Sequence, residues 1–451
     1  MDYSNCEGKK LVVLGGGESG VGAAVLGKVK GFRVWLSDMG SISDKYTAML
    51  EEHGIDYEQN GHTAEKILDA DVIVKSPGIP DSAPLVAEAC RKGIPVVSEI
   101  EFAGKFTDSK MVCITGSNGK TTTTMLTYHI FRKAGIDVGL AGNVGKSLAL
   151  QVALDPHEVY IIELSSFQLD NMYDFKANVA VILNITPDHL DRYDYKMENY
   201  TAAKFRILQN QTKDDYFIYW LDDPIIREQI CHVQSEALQL PFSESYEKGD
   251  AAWVEDGIVR FDIHRDSWDL PLEELSLPGV HNLYNSMAAG LSAGVMNLRK
   301  EDIRAALADF EAVEHRLEFV AETDGIRWIN DSKATNVNST FYALGSMTSP
   351  TVLILGGKDK GNDYSEILPL VEQKVKAIVA MGKDNSKILS FFEGKVEELR
   401  DTHSIEEAVA TCRELASEGD TVLLSPCCAS FDLFKSYEDR GRQFKEAVKK
   451  L

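Results

Sequence analysis

The most informative motif of this chain is Thr115-Gly116-Ser117-Asn118-Gly119-Lys120-Thr121. The apolar residues 111–114 before it predict a buried strand, and apolar residues recur after it at helical spacing as far as Ala134. The motif therefore lies on a strand–loop–helix turn, where backbone N–H groups and a helix N-terminus attract phosphate. Lys120 adds a full positive charge, and the Thr121 hydroxyl is a suitable ligand for Mg²⁺.

This loop predicts a site for a nucleotide triphosphate, although it is shorter than the common P-loop. Only Ser117 and Asn118 separate the first glycine from the Gly-Lys pair, where the common motif has four residues. The alternative is a glycine-rich turn with an incidental lysine. We favour phosphate binding because the strand, the loop and the helix all fall where that chemistry needs them.

Bulk composition limits what kind of protein this is. The chain has 451 residues, 44% hydrophobic and 26% charged, which predicts a globular protein of about three domains. A net charge of −23 argues against a broad nucleic-acid surface. No zinc-ligand spacing links the seven cysteines, and there is no export signal or long apolar stretch, so we expect a cytoplasmic, reduced protein with no membrane partner.

The first predicted domain, residues 1–107, has a mononucleotide-binding pattern. An apolar run ends at Leu14 and is followed by the Gly-x-Gly-x-x-Gly stretch 15–20, a helical segment and a second strand leading to Asp38. This order favours a Rossmann-like domain over a structural turn. The rigid turn 75–80 follows another strand, at the edge of the sheet that faces ligands in such domains.

The second predicted domain, residues 108–311, carries three candidate metal ligands besides the loop. Glu163 ends an apolar strand close to the nucleotide loop, so we favour Mg²⁺ binding over helix capping. His189 follows the next strand, and its sequence context leaves a metal role and a structural role equally open. Lys204 shares the apolar side of a helix with Tyr200, and spacing alone favours snorkelling to solvent. Segments 216–221 and 257–263 predict peripheral strands.

The third predicted domain, residues 312–451, alternates strands and helices again, which indicates another α/β sheet. Three of its strands are followed by polar loops, at 330–336, 356–361 and 425–431. Three such loops at one sheet edge indicate a binding surface rather than chance turns, although each residue taken singly could be a solvated loop residue. Arg316 could reach a phosphate when the domains close.

With these motifs, the chain resembles the Mur ligase family of ATP-dependent amino-acid-adding enzymes over nearly its whole length. The resemblance rests on the nucleotide loop and on Glu163-Leu-Ser-Ser-Phe-Gln-Leu169, Asn330-Asp-Ser-Lys-Ala-Thr-Asn336 and Ser425-Pro-Cys-Cys-Ala-Ser-Phe431. It implies an α/β chain with a Rossmann-like N-terminal domain, a central P-loop ATP-binding domain and a Rossmann-like C-terminal domain. The implied activity is ATP-dependent addition of D-glutamate to UDP-N-acetylmuramoyl-L-alanine through an acyl phosphate, in peptidoglycan precursor synthesis.

The resemblance also implies residue roles. ATP is assigned to Gly116, Ser117, Asn118, Gly119, Lys120, Thr121, Thr122, Asn282, Arg316 and Asp331. Two Mg²⁺ sites are assigned to Thr121, Glu163, His189 and a carbamylated Lys204, and the reacting groups to Lys120, Asn143, His189 and Lys204. The UDP-sugar is assigned to Gly17, Ser19, Gly20, Asp38, Ser76, Pro77 and Gly78, and D-glutamate to Lys333, Thr335, Lys360, Ser430 and Phe431. One departure is Met39-Gly40, where relatives often carry Thr-Arg.

Three other functions compete with this interpretation. Another amino-acid-adding ligase of the same family would share most of the motifs, although the Asp-Asn-Pro-Arg signature of the diaminopimelate-adding relative is absent. A nicotinamide-dependent oxidoreductase would explain residues 15–38 but not the Lys120 loop. A nucleotide-switch protein would explain that loop but not the polar loops of the third domain. We expect small-molecule substrates, no nucleic acid and a monomeric chain.

Overall fold

The structure is a computed structural model that describes residues 6–263, 266–277, 279–310 and 314–451. The chain divides into two compact units. The N-terminal unit comprises residues up to 276 together with 284–310, and the C-terminal unit comprises 277–283 together with 311–451. The N-terminal unit contains two sheets and the C-terminal unit one, so the prediction of three α/β sheets is confirmed. The predicted boundaries at 107/108 and 311/312 stay predictions, and residues 311–313 lie outside the described residues.

The first sheet is a doubly wound parallel sheet, as predicted. Its strands run in the order β3-β2-β1-β4-β5, with β1 Lys10–Leu14, β2 Arg33–Ser37, β3 Asp56–Glu58, β4 Val72–Lys75 and β5 Val96–Val97. Its helices are α1 Glu18–Val29, α2 Asp44–Glu52, α3 Ala64–Ile67, α4 Pro84–Arg91 and α5 Glu99–Gly104. The strand order reverses between β1 and β4, and ligands of such sheets bind outside the carboxyl ends at that point.

The second sheet has nine strands in the order β14-β13-β12-β11-β10-β9-β6-β8-β7. They are β6 Lys110–Thr115, β7 Val138–Gly142, β8 Val159–Glu163, β9 Val179–Ile182, β10 Tyr216–Trp220, β11 Leu238–Ser245, β12 Ala252–Glu255, β13 Ile258–Ile263 and β14 Asp266–Pro271. The helices are α6 Lys120–Lys133, α7 Leu148–Leu154, α8 Ser166–Leu169, α9 Met197–Phe205, α10 Pro224–Ile230, α11 Val280–Val295 and α12 Lys300–Asp309. Among these helices and those of the other two sheets, none in the described ranges is long and apolar enough to cross a membrane.

The prediction that segment 216–221 is peripheral is wrong. Strand β10 lies in the interior of the second sheet, paired in parallel with both β9 and β11. Phe217 and Ile218 point to opposite faces and are both fully buried, as expected for an interior strand covered on both sides. Strands β11 to β14 extend the sheet beyond it, so only β14 is an edge strand at that end.

The third sheet has six strands in the order β15-β16-β20-β17-β18-β19, with only β15 antiparallel to its neighbour. The strands are β15 Glu318–Thr323, β16 Ile326–Asn330, β17 Thr351–Leu355, β18 Val375–Met381, β19 Glu398–Thr402 and β20 Thr421–Leu424. The helices are α13 Val337–Gly345, α14 Leu368–Lys374, α15 Ser386–Phe392, α16 Ile405–Leu415 and α17 Tyr437–Val448. The four central strands confirm the prediction. The two edge strands were not predicted because their side chains are mostly half-exposed and polar.

A buried carboxylate links α5, the last helix of the first sheet, to the start of α7, a helix of the second sheet. Glu99 opens α5 and is buried, and its Oε1 accepts hydrogen bonds from the Ser147 hydroxyl at 2.7 Å and the Ala149 N–H at 2.6 Å, at the start of α7. Burial raises the pKa of Glu99 to about 7, against the opposing effect of these hydrogen bonds. The carboxyl group therefore changes charge near neutral pH inside the N-terminal unit.

We expect this carboxyl group to make stability depend on pH. Its folded-state pKa lies above its ordinary value of 4.5, so its contribution is fully present below pH 4.5 and is lost as pH rises towards 7. The loss is on the order of 3 kcal/mol. Glu99→Gln should remove this pH-dependent contribution to stability. The measurement compares the unfolding midpoints of the wild type and of Glu99→Gln from pH 5 to 8. The exposed Glu52→Gln is the control, and parallel midpoints for wild type and Glu99→Gln would contradict the prediction.

Candidate active site

The nucleotide loop connects a strand to a helix, as predicted, and two of its glycines have left-handed backbone angles. The backbone leaves β6 at Thr115 and enters α6 at Lys120, and both Gly116 and Gly119 have positive φ angles, of 151° and 82°. A Cβ atom on Gly119 would lie 2.4 Å from Asn285 Oδ1, so this position accepts only glycine without a shift. The Lys120 Nζ lies 2.9 Å from the carbonyl oxygens of both Gly116 and Ser117. The loop therefore curls around the lysine head group, and the phosphate role of Lys120 stays a prediction.

Asn184 holds this loop in place and was missed by the sequence analysis. Its Oδ1 accepts from the Asn118 N–H at 2.8 Å, its Nδ2 donates to the Asn118 carbonyl at 3.0 Å, and its own carbonyl accepts from the Ser117 N–H at 2.8 Å. Asn184 follows β9 by two residues, at the same sheet edge as the loop. The rule that polar residues after parallel strands meet at one edge would have found it.

Glu163 offers a carboxylate oxygen to a cation. It ends β8, beside β6, and is buried. Its Oε1 accepts from Asn143 Nδ2 at 2.8 Å, whereas its Oε2 is buried and has no hydrogen-bond partner in the described protein. A buried, unpaired carboxylate oxygen is costly unless a cation compensates it. With the hydroxyl of Thr121 in the first turn of α6, the donor set is the hard oxygen set that Mg²⁺ prefers.

A cavity of about 290 Å³ in the N-terminal unit collects all four of the predicted catalytic side chains. It is lined by Pro77, Gly78, Lys120, Asn143, Ser165, Ser166, Phe167, Asp188, His189, Tyr200 and Lys204. The turn after β4 of the first sheet and the nucleotide loop of the second sheet therefore face one space. The structure thus brings together parts of the predicted sugar, phosphate and metal sites.

Lys204 is buried, so the expectation that it snorkels to solvent is wrong. Only 1% of the residue is exposed, its Nζ donates to the Gly116 carbonyl at 2.8 Å, and it lies 4.6 Å from the centre of the Tyr200 ring. The side chain turns inward because the nucleotide loop supplies an acceptor there. Burial and the neighbouring Lys120 ammonium lower the pKa of Lys204 well below its ordinary value. Lys204 therefore adopts the neutral amine form more readily than an exposed lysine does.

His189 keeps much of its ring accessible to the cavity. Its backbone is left-handed, with φ of 52°, and 43% of its side chain is exposed. The ring packs edge-on against Phe167, with centroids 5.2 Å apart. Nothing in this geometry buries the ring as a core residue, so its position is compatible with a metal role, which stays a prediction.

The predicted sugar residues of the first sheet form a close-packed turn. A Cβ on Gly20 would lie 1.9 Å from the Gly15 carbonyl oxygen, so the glycine loop packs tightly against the first turn of α1. Asp38 accepts from the N–H of Gly16 at 2.5 Å and from that of Gly40 at 2.7 Å, one with each oxygen. Its carboxylate thus shapes the glycine loop. The ligand roles of Gly17, Ser19, Gly20, Asp38, Ser76, Pro77 and Gly78 stay predictions.

The C-terminal unit brings its three predicted loops to one sheet edge, because β16, β20 and β17 are neighbours. Two loops are bonded directly: the Lys358 N–H donates to the Ala429 carbonyl at 2.8 Å, and the reverse bond is 3.3 Å. In these loops Lys333 and Thr335 are half-buried, Ser430 is buried, and Lys360 and Phe431 are exposed. Asn282, in the first turn of α11, is half-buried. Their assignments to ATP and D-glutamate stay predictions.

Asp331 and Arg316 are two polar residues of this unit, the first buried and the second half-buried. Asp331 accepts from the Ser425 hydroxyl at 2.8 Å and from the Leu317 N–H at 3.3 Å. Burial raises its pKa to about 6, although the nearby Arg316 opposes that shift. The Arg316 Nε is itself buried without a hydrogen-bond partner in the described protein. A buried donor and a buried carboxyl at a sheet edge are the groups expected to meet a polar ligand.

The fold and the site together define a P-loop nucleotide-binding enzyme built from three α/β sheets. Three family profiles match the chain: the MurD N-terminal domain at residues 10–84, the Mur ligase middle domain at 114–293, and the Mur ligase, glutamate ligase domain at 315–428. The chain belongs to the Mur ligase family.

Relatives match over the full length. The chain is 60% identical over 444 residues to the UDP-N-acetylmuramoylalanine–D-glutamate ligase of Bacteroides fragilis, covering 98% of this chain and 100% of that one. It is 56% identical over 443 residues to the enzyme of the same name from Porphyromonas gingivalis, covering 98% of each. Among solved structures, the UDP-N-acetylmuramate–alanine ligase of Thermotoga maritima has a TM-score of 0.63 at 18% identity, covering 98% of this chain and 99% of that one. This last likeness confirms the fold.

Proposed function

We propose that this protein is an ATP-dependent ligase that joins D-glutamate to UDP-N-acetylmuramoyl-L-alanine, releasing ADP and phosphate. The cavity that combines the Lys120 loop with Asn143, His189, Lys204 and the Pro77–Gly78 turn carries the proposal. The ligase name of the relatives, which match this chain end to end, supports it. The reaction belongs to cytoplasmic peptidoglycan precursor synthesis, and so to cell wall formation, cell shape and division. We propose a monomeric chain.

The first chemical step activates a carboxylate. A carboxylate oxygen of the terminal alanine attacks the γ-phosphorus of ATP, the bond to ADP breaks, and an acyl phosphate forms. Two anions must approach each other, so Lys120 acts by neutralising charge at the transferring phosphoryl group. Bound Mg²⁺, which Thr121 and Glu163 would hold at one site and His189 and Lys204 at a second, supplies further positive charge. Asn143 is tied to Glu163 and so is fixed beside this charge.

The second step forms the amide. The free amine of D-glutamate attacks the acyl carbon, the bond to the phosphate oxygen breaks, and inorganic phosphate leaves while the nitrogen loses a proton. Lys333, Thr335, Lys360, Ser430 and Phe431 are the residues proposed to hold D-glutamate. Water competes with the amine for the acyl phosphate, so the site must exclude it.

We further propose that Lys204 is carbamylated. A bare ammonium beside a metal would be repelled, and its burial would be expensive. Only a neutral amine adds to CO₂, and the lowered pKa of Lys204 makes that form available. The product is an anionic oxygen donor suited to a hard cation.

The substrate assignment predicts a selective kinetic effect in the C-terminal unit. Thr335→Ala and Lys360→Ala should each raise the KM for D-glutamate far more than that for ATP, by on the order of tenfold for one lost carboxylate contact. Both residues lie on the polar loops at the ligand edge of the third sheet. The exposed Lys395→Ala, three residues after the end of α15, is the matched control. Equal changes in the KM values of both substrates would count against the assignment.

Phosphate release from ATP, measured with UDP-N-acetylmuramoyl-L-alanine and each amino acid in turn, tests the function. We expect release with D-glutamate and little with L-glutamate or other amino acids. Release that prefers a different amino acid would indicate another amino-acid-adding ligase of the family. Family membership decides against the oxidoreductase and nucleotide-switch alternatives.

A further inference from the structure

A buried arginine lies beneath the three polar loops of the C-terminal unit. Arg440, on α17, is 0% exposed. Its Nε donates to the Ser332 hydroxyl at 2.9 Å and its Nη2 to the Ser332 carbonyl at 2.8 Å. Its Nη1 donates to the carbonyls of Cys428 at 3.2 Å and of Gly356 at 3.5 Å. One guanidinium therefore bonds the loops 330–336, 356–361 and 425–431 at once.

The positive charge of this arginine has no partner of opposite charge in contact. No carboxylate of the described residues lies within ion-pair distance of Arg440, and Asp331 and Asp432 act on it only from farther away. Burial lowers its pKa to about 10, so the group stays protonated at neutral pH. A buried cation satisfied only by neutral oxygens costs free energy. Its charge lies beneath the three loops, with the carboxylates of Asp331 and Asp432 farther away.

The surrounding chain is shaped to admit this side chain. Arg440 shares the inward side of α17 with Phe444 and Val448, which are fully buried. A Cβ on Gly357 would lie 3.3 Å from Arg440 Nη1 and 2.4 Å from the Ala429 carbonyl oxygen. A side chain here would clash with the Ala429 carbonyl and crowd the guanidinium, so glycine lets the three groups pack closely.

Each anchoring point is close in sequence to a residue proposed to hold D-glutamate. Ser332 precedes Lys333, Gly356 comes four residues before Lys360, and Cys428 comes two residues before Ser430. Displacement of any one anchor would therefore move a proposed binding group relative to the other two.

We propose that Arg440 is a positioning residue for the amino-acid substrate: it holds the three loops in the one mutual arrangement that binding of a dicarboxylic amino acid requires. This proposal rests on the proposed function of the same loops. Arg440 does not touch the substrate, because its guanidinium makes four hydrogen bonds to the protein's own oxygens and its side chain is buried.

Steady-state kinetics of Arg440→Lys and Arg440→Met test this role. The matched control is Arg442→Met, which removes the same charge from an exposed position on the same helix. We expect both Arg440 variants to raise the KM for D-glutamate by roughly tenfold or more, since small misplacements of binding groups are expensive. The KM values for ATP and the UDP-substrate should change by only about twofold. A folded variant with an unchanged KM for D-glutamate, or with equal increases for all three substrates, would overturn the proposal.

Amide hydrogen exchange on the full chain separates this proposal from the proposed function. We expect faster exchange in all three loops of Arg440→Lys and unchanged exchange in the nucleotide loop 115–121, whether or not D-glutamate is the substrate. Unaltered exchange in the three loops would contradict the positioning role even if the wild-type protein ligates D-glutamate. If both Arg440 variants fail to fold, Ser332→Ala, which removes one acceptor, decides the question: a raised KM for D-glutamate supports the role and an unchanged KM refutes it.

Discussion

Replacing Lys120 by alanine is expected to abolish ligation while leaving the fold intact. The Lys120 Nζ lies over the nucleotide loop, in contact with the carbonyls of Gly116 and Ser117, and lines the cavity rather than the core. Its ammonium is the protein's own positive charge at the point where two anionic groups must meet. Loss of such a preorganised charge lowers turnover by on the order of a hundred- to a thousandfold.

The measurement is phosphate release under saturating substrates, with circular dichroism to confirm folding. Lys110→Ala is the matched control, because Lys110 is an exposed lysine at the opposite end of the same strand, β6. Lys110→Ala should behave like the wild type. Near-normal turnover in a well-folded Lys120→Ala protein would mean that phosphate does not bind at this loop.

Replacing Lys204 by alanine is expected to cause a severe loss that small carboxylates partly reverse. Lys204 is buried and its Nζ donates to the Gly116 carbonyl. Burial, and then the positive charge of Lys120, lower its pKa. If its carbamate is an oxygen ligand of a metal, its removal costs activity by about a hundredfold. Formate or acetate can occupy the vacated oxygen positions and restore part of the rate.

Two further results separate a carbamate from a structural lysine. The exposed Lys196→Ala, at the start of α9, should retain wild-type activity. Protein equilibrated with ¹³C-labelled bicarbonate should give a carbamate carbon signal that Lys204→Ala lacks. Full activity of Lys204→Ala, or a wild-type protein without that signal, would rule the carbamate out.

Strand ends were the most informative feature of the sequence. Glu163 and the loop at Lys120 were predicted because buried apolar strands with polar ends can be recognised locally, and parallel topology brings those ends together. The same local rule predicted the three loops of the C-terminal unit. It also covers Asn184, which was overlooked although it satisfies the rule.

Side-chain direction was harder to predict than position. Lys204 lies on the inward side of its helix, but the sequence could not reveal that the Gly116 carbonyl would accept its hydrogen bond, since the two residues are 88 apart. Arg440 presents the same problem, because its partner Ser332 is 108 residues away. In both cases a charged residue shares the buried side of a helix with apolar neighbours, and that pattern is the available signal.

The fate of the alanine carboxylate oxygens distinguishes activation through an acyl phosphate from any other route to the amide. UDP-N-acetylmuramoyl-L-alanine labelled with ¹⁸O in both oxygens of its alanine carboxylate is incubated with the protein, ATP and D-glutamate, and the products are analysed by mass spectrometry. An acyl phosphate predicts that one ¹⁸O appears in inorganic phosphate and the other stays in the new amide. Phosphate without ¹⁸O, formed together with the amide, would contradict the mechanism.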